Sequence, residues 1–499
     1  MAKVVKCTTL DGRTVEFVDE VIGSGAMKEV HFSPDRSYVV AFYKHRQDDQ
    51  ARERLQMIAG RYRESIFDQI GGDYWKDLFC WPTAVLEHEG RLGLVAPAYP
   101  RHFFFAHGSR NNDMLGIRGK EKEGKWFAAA SLRNRFVDPR ELGHWLNHLE
   151  ICLLLARAVR RMHMAGLAHS DLSYKNVLVD PSRGLACVID LDGLVVPGKY
   201  PPDVVGTPDF IAPEVVATAH LPRDDPDRRL PRRETDLHAL AVLIYMYLLY
   251  RHPLRGGKVH DLDDEQRDEM LSMGERALFV EHPSDDGNRI RVADARPAEL
   301  PWADTRRLPF TITGPYLAPL LLQAFVEGLQ DPSRRPSAND WETALVKTVD
   351  LILPCANPRC EQRWYVFDNS VAPCCPFCGT PFRGKLPVLN LYSSRNQGQY
   401  RPDNHRLMVW TGQSLFLWHA NTLIAPNEKL SDAQKGRVGH FILHQDVWWL
   451  VNEGLPDLVD VSTKTRVPIG GRVELRDGQQ ILLAQGDGGR LVVVQMVDA

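Results

Sequence analysis

The sequence predicts an α+β catalytic half, then a small metal-binding module and an all-β carboxy-terminal domain. Three observations predict it. Short alternating strands over residues 15–44 give way to leucine- and alanine-rich helical spacing over 140–166. Five of the nine cysteines lie between Cys355 and Cys378. From about Leu386 the texture turns to short strands and turns (RLMVW, SLFLWH, HFILHQDVWWLVN, RVELRDGQQILLA, RLVVVQM), the pattern of a β-sandwich. At 499 residues the chain has room for two to four domains.

Composition removes several classes of function. A formal net charge of -3 exerts no general pull toward nucleic acid or acidic membrane, and neither is expected as a partner. The longest apolar run, Leu237 to Tyr250, contains His238 and falls short of the about 20 residues that span a bilayer, so it reads as a buried helix. Met1 to Leu10 lacks an apolar signal region. Cys7, Cys80, Cys152 and Cys187 are scattered, and one tight cluster follows. That usage predicts a reducing cytoplasm and a metal rather than a disulfide framework.

Taken in order, the chain first offers VIGSGAMKEVHF. Gly23 and Gly25 would let backbone amides approach phosphates, and Val30 would lie over an adenine ring. VVAFYK then reads as a strand ending in Lys44, 14 residues after Val30. Residues 48–70 have helical spacing with many charges. Glu64 lies 20 residues beyond Lys44 as its candidate partner, with Glu53 as competitor. LGLVAPAY reads as a strand and linker, and residues 108–125 as a solvated loop. The helix over 140–166 delivers the chain to HSDLSYKNVLVD, His169 to Asp180. There a carboxylate, Asp171, and an amide, Asn176, stand five residues apart on a loop between a helix and the strand Val177-Leu178-Val179. That pairing suits proton acceptance beside a metal-bound phosphate. CVIDLD, Cys187 to Asp192, is an apolar strand ending in two carboxylates that would repel unless a cation lay between them.

These pieces, with GTPDFIAPE at 206–214, DLHALAV at 236–242 and LQDPSRRPSA at 329–338, resemble protein kinases in order and interval over residues 20–340. The resemblance implies a bilobal protein kinase-like fold, with an N-lobe over 1–100 and a C-lobe over 101–350. It implies ATP with magnesium or manganese, and a protein substrate phosphorylated on serine or threonine, the chain itself included. It assigns catalysis to Asp171, Lys44 and Lys175, and nucleotide binding to Gly23, Gly25, Val30, Lys44, Glu64, Asn176 and Asp190. Asn176 and Asp190 would hold the catalytic metal, and Arg335 would pair with Glu214. The sequence departs from the pattern in several places. Lys28 replaces the third glycine of the loop, where it would touch phosphate or face solvent. Ser170 replaces the arginine after the histidine, which argues against activation-loop phosphorylation as the switch and for control by the carboxy-terminal modules or a partner. Ser173 replaces a lysine, whose charge Lys175 would supply. Asp192 replaces a glycine.

Cys355-x4-Cys360 and Cys375-x2-Cys378 have the form of a zinc ribbon over 351–384, with four thiolates closing a structural Zn2+ site and Cys374 left over. The sandwich over 385–499 resembles a forkhead-associated domain. His440 would match the family histidine, and Arg437 is a poor stand-in for the expected arginine. The whole resembles bacterial kinases of tellurite-resistance clusters, which implies a von Willebrand A-domain protein and a metal-dependent phosphatase as partners. Two other readings stand beside the kinase. One is a pseudokinase scaffold that binds nucleotide and assembles partners. The other is a small-molecule kinase, which the APE-like segment and Arg335 disfavour.

Overall fold

The structure is a computed structural model, and it describes residues 3–25, 27–196, 199–202, 206–368, 370, 372–396 and 398–498. Two compact units emerge. The first comprises Met1–Gly143, Asn147–Phe310 and Pro319–Glu342, and the second His144–Leu146, Thr311–Ala318 and Thr343–Ala499. The cysteine cluster and the sandwich therefore share one unit.

The first unit opens on a hairpin of β1 (Val4–Thr8) and β2 (Thr14–Val18). A five-stranded antiparallel sheet follows, in the order β3-β4-β5-β7-β6. Its strands are β3 (Gly23–Ser24), β4 (Lys28–Phe32), β5 (Tyr38–Tyr43), β6 (Ala84–His88) and β7 (Arg91–Pro97). Because successive side chains on a strand point to opposite faces, β5 feeds two cores. Val40 and Phe42 pack with Phe17 and Cys7 under the first hairpin. Ala41 and Tyr43 pack with Leu55, Val85 and Leu94 on the other face. The charged helical stretch is there, as Asp49–Met57, a π-turn at Ile58–Tyr62, and Arg63–Phe67. Asp48 caps its start by accepting from the Ala51 amide.

The other half of this unit is helical. The helix Trp145–Met164 leads into a short hairpin of β8 (Val177–Asp180) and β9 (Leu185–Val188). The apolar run is the helix Arg233–Leu249, buried on every side from His238 onward, which is why its pattern shows no polar stripe. The segment 108–125 is largely an exposed loop, as its charges suggest, with one charged exception. Lys122 is buried in an ion-paired cluster with Glu141 at 2.9 Å and Asp180 at 3.0 Å, so its charge is matched rather than hydrated.

The second unit is all-β after the helix Ala338–Asp350 and a two-stranded hairpin, β10 (Ile352–Pro354) with β11 (Trp364–Val366). A six-stranded sheet contains β12 (Lys385–Asn396), β13 (Gln399–Met408), β17 (Val459–Asp460), β18 (Thr465–Arg466), β20 (Gln480–Leu482) and β21 (Arg490–Asp498). A four-stranded sheet contains β14 (Ser414–Phe416), β15 (Arg437–His444), β16 (Val447–Asn452) and β19 (Arg472–Glu474). Leu389, Leu407 and Val492 of the first meet Phe441, Leu450 and Val473 of the second in one apolar core. The run HFILHQDVWWLVN is two strands, because Gln445 and Asp446 both take positive φ and turn the chain back on itself. SLFLWH is a strand only to Phe416, and Leu417–Ala420 is a helical turn.

Candidate active site

The loop at His169–Asp180 is held from below by the buried helix. The Asp236 carboxylate accepts from the His169 amide at 2.8 Å and the Ser170 amide at 3.2 Å. Ser170 sits at φ 68, a left-handed conformation costly for a non-glycine residue and stabilised here by those two bonds. The His169 ring nitrogen Nε2 lies 3.1 Å from the Ile189 carbonyl, which ties this loop to the one carrying Asp190. The turn leaves Asp171 at the surface of the cleft with its carboxylate oriented. Asn176 Nδ2 donates to Oδ2 at 2.9 Å, while the Thr207 amide and hydroxyl donate to Oδ1 at 2.6 and 2.8 Å. Three donors thus fix the orientation of this carboxylate.

Asp190, at φ 59, follows β9 and turns the chain so that Asp190 and Asp192 face one cation. That cation is Lys28. Its Nζ lies 2.9 Å from Asp190 Oδ1 and 2.8 Å from both oxygens of Asp192, and the Tyr43 hydroxyl also donates to Asp192. Burial works against the Lys28 ammonium, but the charges of Asp192 and Asp190 outweigh it and hold the group above its ordinary value. Burial likewise works against the Asp192 carboxylate, and Lys28 outweighs it, bringing the group down to about 2. Asp190, desolvated and beside the charge of Asp192, is pushed up instead. The counter-charge the sequence demanded for this pair is thus a side chain of the chain itself.

Lys44 is not at the site. It is exposed, one residue beyond the end of β5, and its amide donates to the Met27 carbonyl. The reason is strand parity: a shift of one residue moves a side chain to the other face of the sheet. Tyr43 shares its face with Ala41 and points at Asp192, so Val40-Ala41-Phe42-Tyr43 fits the kinase pattern V-A-x-K with tyrosine in the lysine position. Lys28 lies directly opposite Tyr43 in the β4–β5 register, 5.7 Å from its ring centroid. Glu64 is exposed, and Glu53 binds Lys199 at 3.1 Å and the Tyr200 hydroxyl at 2.7 Å. Among the described residues no ion pair joins Lys44 to either glutamate. The first helix buries Leu55 against Tyr43 and Arg54 beside it, close enough for its charge to act on the Tyr43 hydroxyl. Lys175 is exposed, and no contact of its ammonium with Asp171 occurs among the described residues; Ser173 is fully buried.

Gly23 and Gly25 flank the β3–β4 turn, closed by the Gly25 amide on the Lys28 carbonyl at 2.9 Å. A Cβ at Gly23 would meet nothing within 4 Å, so packing inside the protein does not demand glycine there. Val30 packs against the Ala41 and Leu94 cluster. Beyond the cleft, Arg335 makes a bidentate pair with Glu214 at 2.9 and 2.7 Å, as the spacing of the two motifs implied. The sequence reading left Lys28 open between phosphate and solvent, and it missed Tyr43 and the grip of Thr207 on Asp171. The signal for the first two was present in the alternation of β5.

Residues 125–341 match the family described as the protein kinase domain. These residues, fewer than half of the chain, are similar to protein kinase domains. The chain is similar to the serine/threonine-protein kinase PSK2 of Saccharomyces cerevisiae, 29% identical over 25% of this chain and 11% of that protein. It is also similar to the death-associated protein kinase dapk-1 of Caenorhabditis elegans, 33% identical over 23% of this chain and 7% of that protein. The probable serine/threonine-protein kinase RTK1 of Saccharomyces cerevisiae is 28% identical over 28% of this chain and 20% of that protein. The chain thus spans a fifth or less of the length of these curated relatives. No helix among the described residues is long and apolar enough to cross a membrane.

The second unit brings four sulfurs together. Those of Cys355, Cys360, Cys375 and Cys378 all lie within 4.8 Å of one another, with Cys355 to Cys378 at 3.5 Å and Cys360 to Cys375 at 3.9 Å. A tetrahedral ion bound at the usual zinc–sulfur length sets its sulfurs about 3.8 Å apart, so the quartet fits one. Gly379, at φ 72, closes the second knuckle by donating to the Cys375 carbonyl. Cys374 is not one of the quartet and is exposed.

Proposed function

We propose that the chain is an ATP-dependent protein kinase that phosphorylates serine or threonine, on itself among other proteins. The observation that carries this is the shared carboxylate of Asp171, steered by Asn176 on one oxygen and Thr207 on the other. Asp171 takes the proton of the acceptor hydroxyl while that oxygen bonds to the γ-phosphorus and the bond to the leaving ADP breaks. Asn176 and Asp190 would hold the magnesium or manganese ion, which supplies charge neutralisation on the phosphates when bound. The free space over Gly23 supports close approach of a ligand to the backbone.

A scaffold without activity is the weaker reading, because Asp171, Asn176, Asp190 and a buried lysine are all retained at one cleft. The test is incubation of the chain with radiolabelled ATP and magnesium beside Asp171→Asn. Loss of the general base lowers such rates by about 100-fold or more. Equal labelling of the two proteins would sink the proposal.

For the second unit we propose a structural zinc ribbon on the cysteine quartet and a sandwich of forkhead-associated type. Phosphothreonine binding is not part of that proposal. Arg437 and His440 both lean on Glu453, at 2.8 and 3.1 Å, and a phosphate would have to displace that carboxylate. The bacterial setting and its two implied partners rest on motif resemblance alone. The relatives above come from a yeast and a nematode.

A further inference from the structure

We infer that Lys28, on the strand leaving the glycine hairpin, is the lysine that holds the phosphates of the nucleotide, with Tyr43 as its positioning residue. The inference rests on the kinase reading of the cleft. Three observations converge on it. Lys28 Nζ sits between Asp190 and Asp192, within 2.9 Å of both, with its side chain 20% exposed. Lys44 leaves β5 on the opposite parity and is exposed. Tyr43 occupies the place a strand lysine would take, faces Lys28 across the register and gives its hydroxyl to Asp192.

The charge balance explains how the arrangement would work. Two carboxylates and one ammonium leave one net negative charge in the cleft, which suits arrival of a cation-bearing nucleotide. Asp190 would hold the metal, and the Lys28 ammonium, with three donors, would then keep one on Asp192 and have another free for a phosphate oxygen. Asp192, fixed by Tyr43, is the tether that keeps the ammonium in place throughout. Lys28 also lies at the end of the turn that Gly25 closes, so backbone amides and cation reach the phosphates from one hairpin.

Four forms of the full chain test this: wild type, Lys28→Ala, Lys44→Ala, and the double variant Lys28→Ala/Tyr43→Lys, which returns the cation to the strand. Fluorescent N-methylanthraniloyl-ATP titrations and phosphotransfer with magnesium are read on each, and circular dichroism establishes folding. Lys28→Ala is expected to weaken nucleotide binding about tenfold and transfer about 100-fold. Lys44→Ala stays within about twofold of wild type in both, and the double variant regains about tenfold of the lost transfer. A folded Lys28→Ala with wild-type affinity and transfer overturns the inference, as does Lys44→Ala alone abolishing both. A wild type that binds the fluorescent nucleotide but transfers no phosphate overturns the kinase reading instead. The affinities of the two single variants still decide between the lysines in that case.

Discussion

Thr207 shows how little chemistry separates support from substrate at this site. Its hydroxyl, the same group the acceptor would bring, donates to Asp171 Oδ1 at 2.8 Å, and its amide donates to the same oxygen at 2.6 Å. The incoming hydroxyl therefore has Oδ2, shared with Asn176, as its acceptor. Removing the threonine hydroxyl leaves the amide bond but frees the carboxylate to rotate. Thr207→Ala is expected to lower kcat about tenfold with little change in KM for ATP, and Thr207→Ser to restore most of it. Steady-state kinetics on the two variants check this. Equal loss in both would mean that the methyl group, rather than the hydroxyl, matters.

At the scale of elements, legibility followed chain distance. His169, Asp171 and Asn176 stand within eight residues on one loop, so their relation could be read from spacing alone. The pairing of Glu214 with Arg335 spans 121 positions but is anchored by two motifs with fixed places in the fold. Lys28 belongs to neither case. Its partners are set by the β4–β5 register and by the turn after β9, and a lysine one residue past Tyr43 offered a false match. Parity was the available clue, since Lys44 cannot share a face with Ala41 and Tyr43. In the segment 108–125 only the charge of Lys122 departs from a solvated loop, and its partners Glu141 and Asp180 lie farther along the chain, where spacing does not reveal them.

One tie within the second unit makes a pH prediction. Asp350, closing the helix Ala338–Asp350, receives His405 of β13 at 2.7 Å and His419 at 3.2 Å. Burial pulls His405 below its ordinary value, and Asp350 only partly offsets it. A histidine whose folded value is lowered leaves stability intact above about pH 6.5, and that stability falls as acid protonates the unfolded chain first. Melting temperature should therefore drop between pH 7.5 and pH 5.5. His405→Gln, which keeps a donor to Asp350 without titrating, should flatten that slope by up to about one proton. Thermal melts at the two pH values measure it, and parallel slopes would refute it.

At the scale of the whole molecule, the cysteine quartet, the sandwich and the end of a helix fall within one compact unit. Metal and sandwich should accordingly share a fate. Elemental analysis is expected to find one zinc per chain in wild type and in Cys374→Ser, and none in Cys375→Ser. The last variant should also melt at a lower temperature than wild type, since binding free energy at such sites is folding free energy. Retention of full zinc by Cys375→Ser would dismiss the quartet as the site.

The trio of Lys28, Tyr43 and Asp192 also constrains how this sequence can change over generations. Take away Lys28 first, and two carboxylates face each other in a desolvated cleft. Put a lysine at position 43 first, and two ammonium groups crowd the same space. Take away Asp192 first, and Lys28 keeps only Asp190, while the Tyr43 hydroxyl loses its acceptor. Breaking a buried ion pair from one side costs about 3–5 kcal/mol, comparable to much of the stability of a domain. Each single change in the trio is therefore expected to be costly, so that the three positions would change together rather than one at a time.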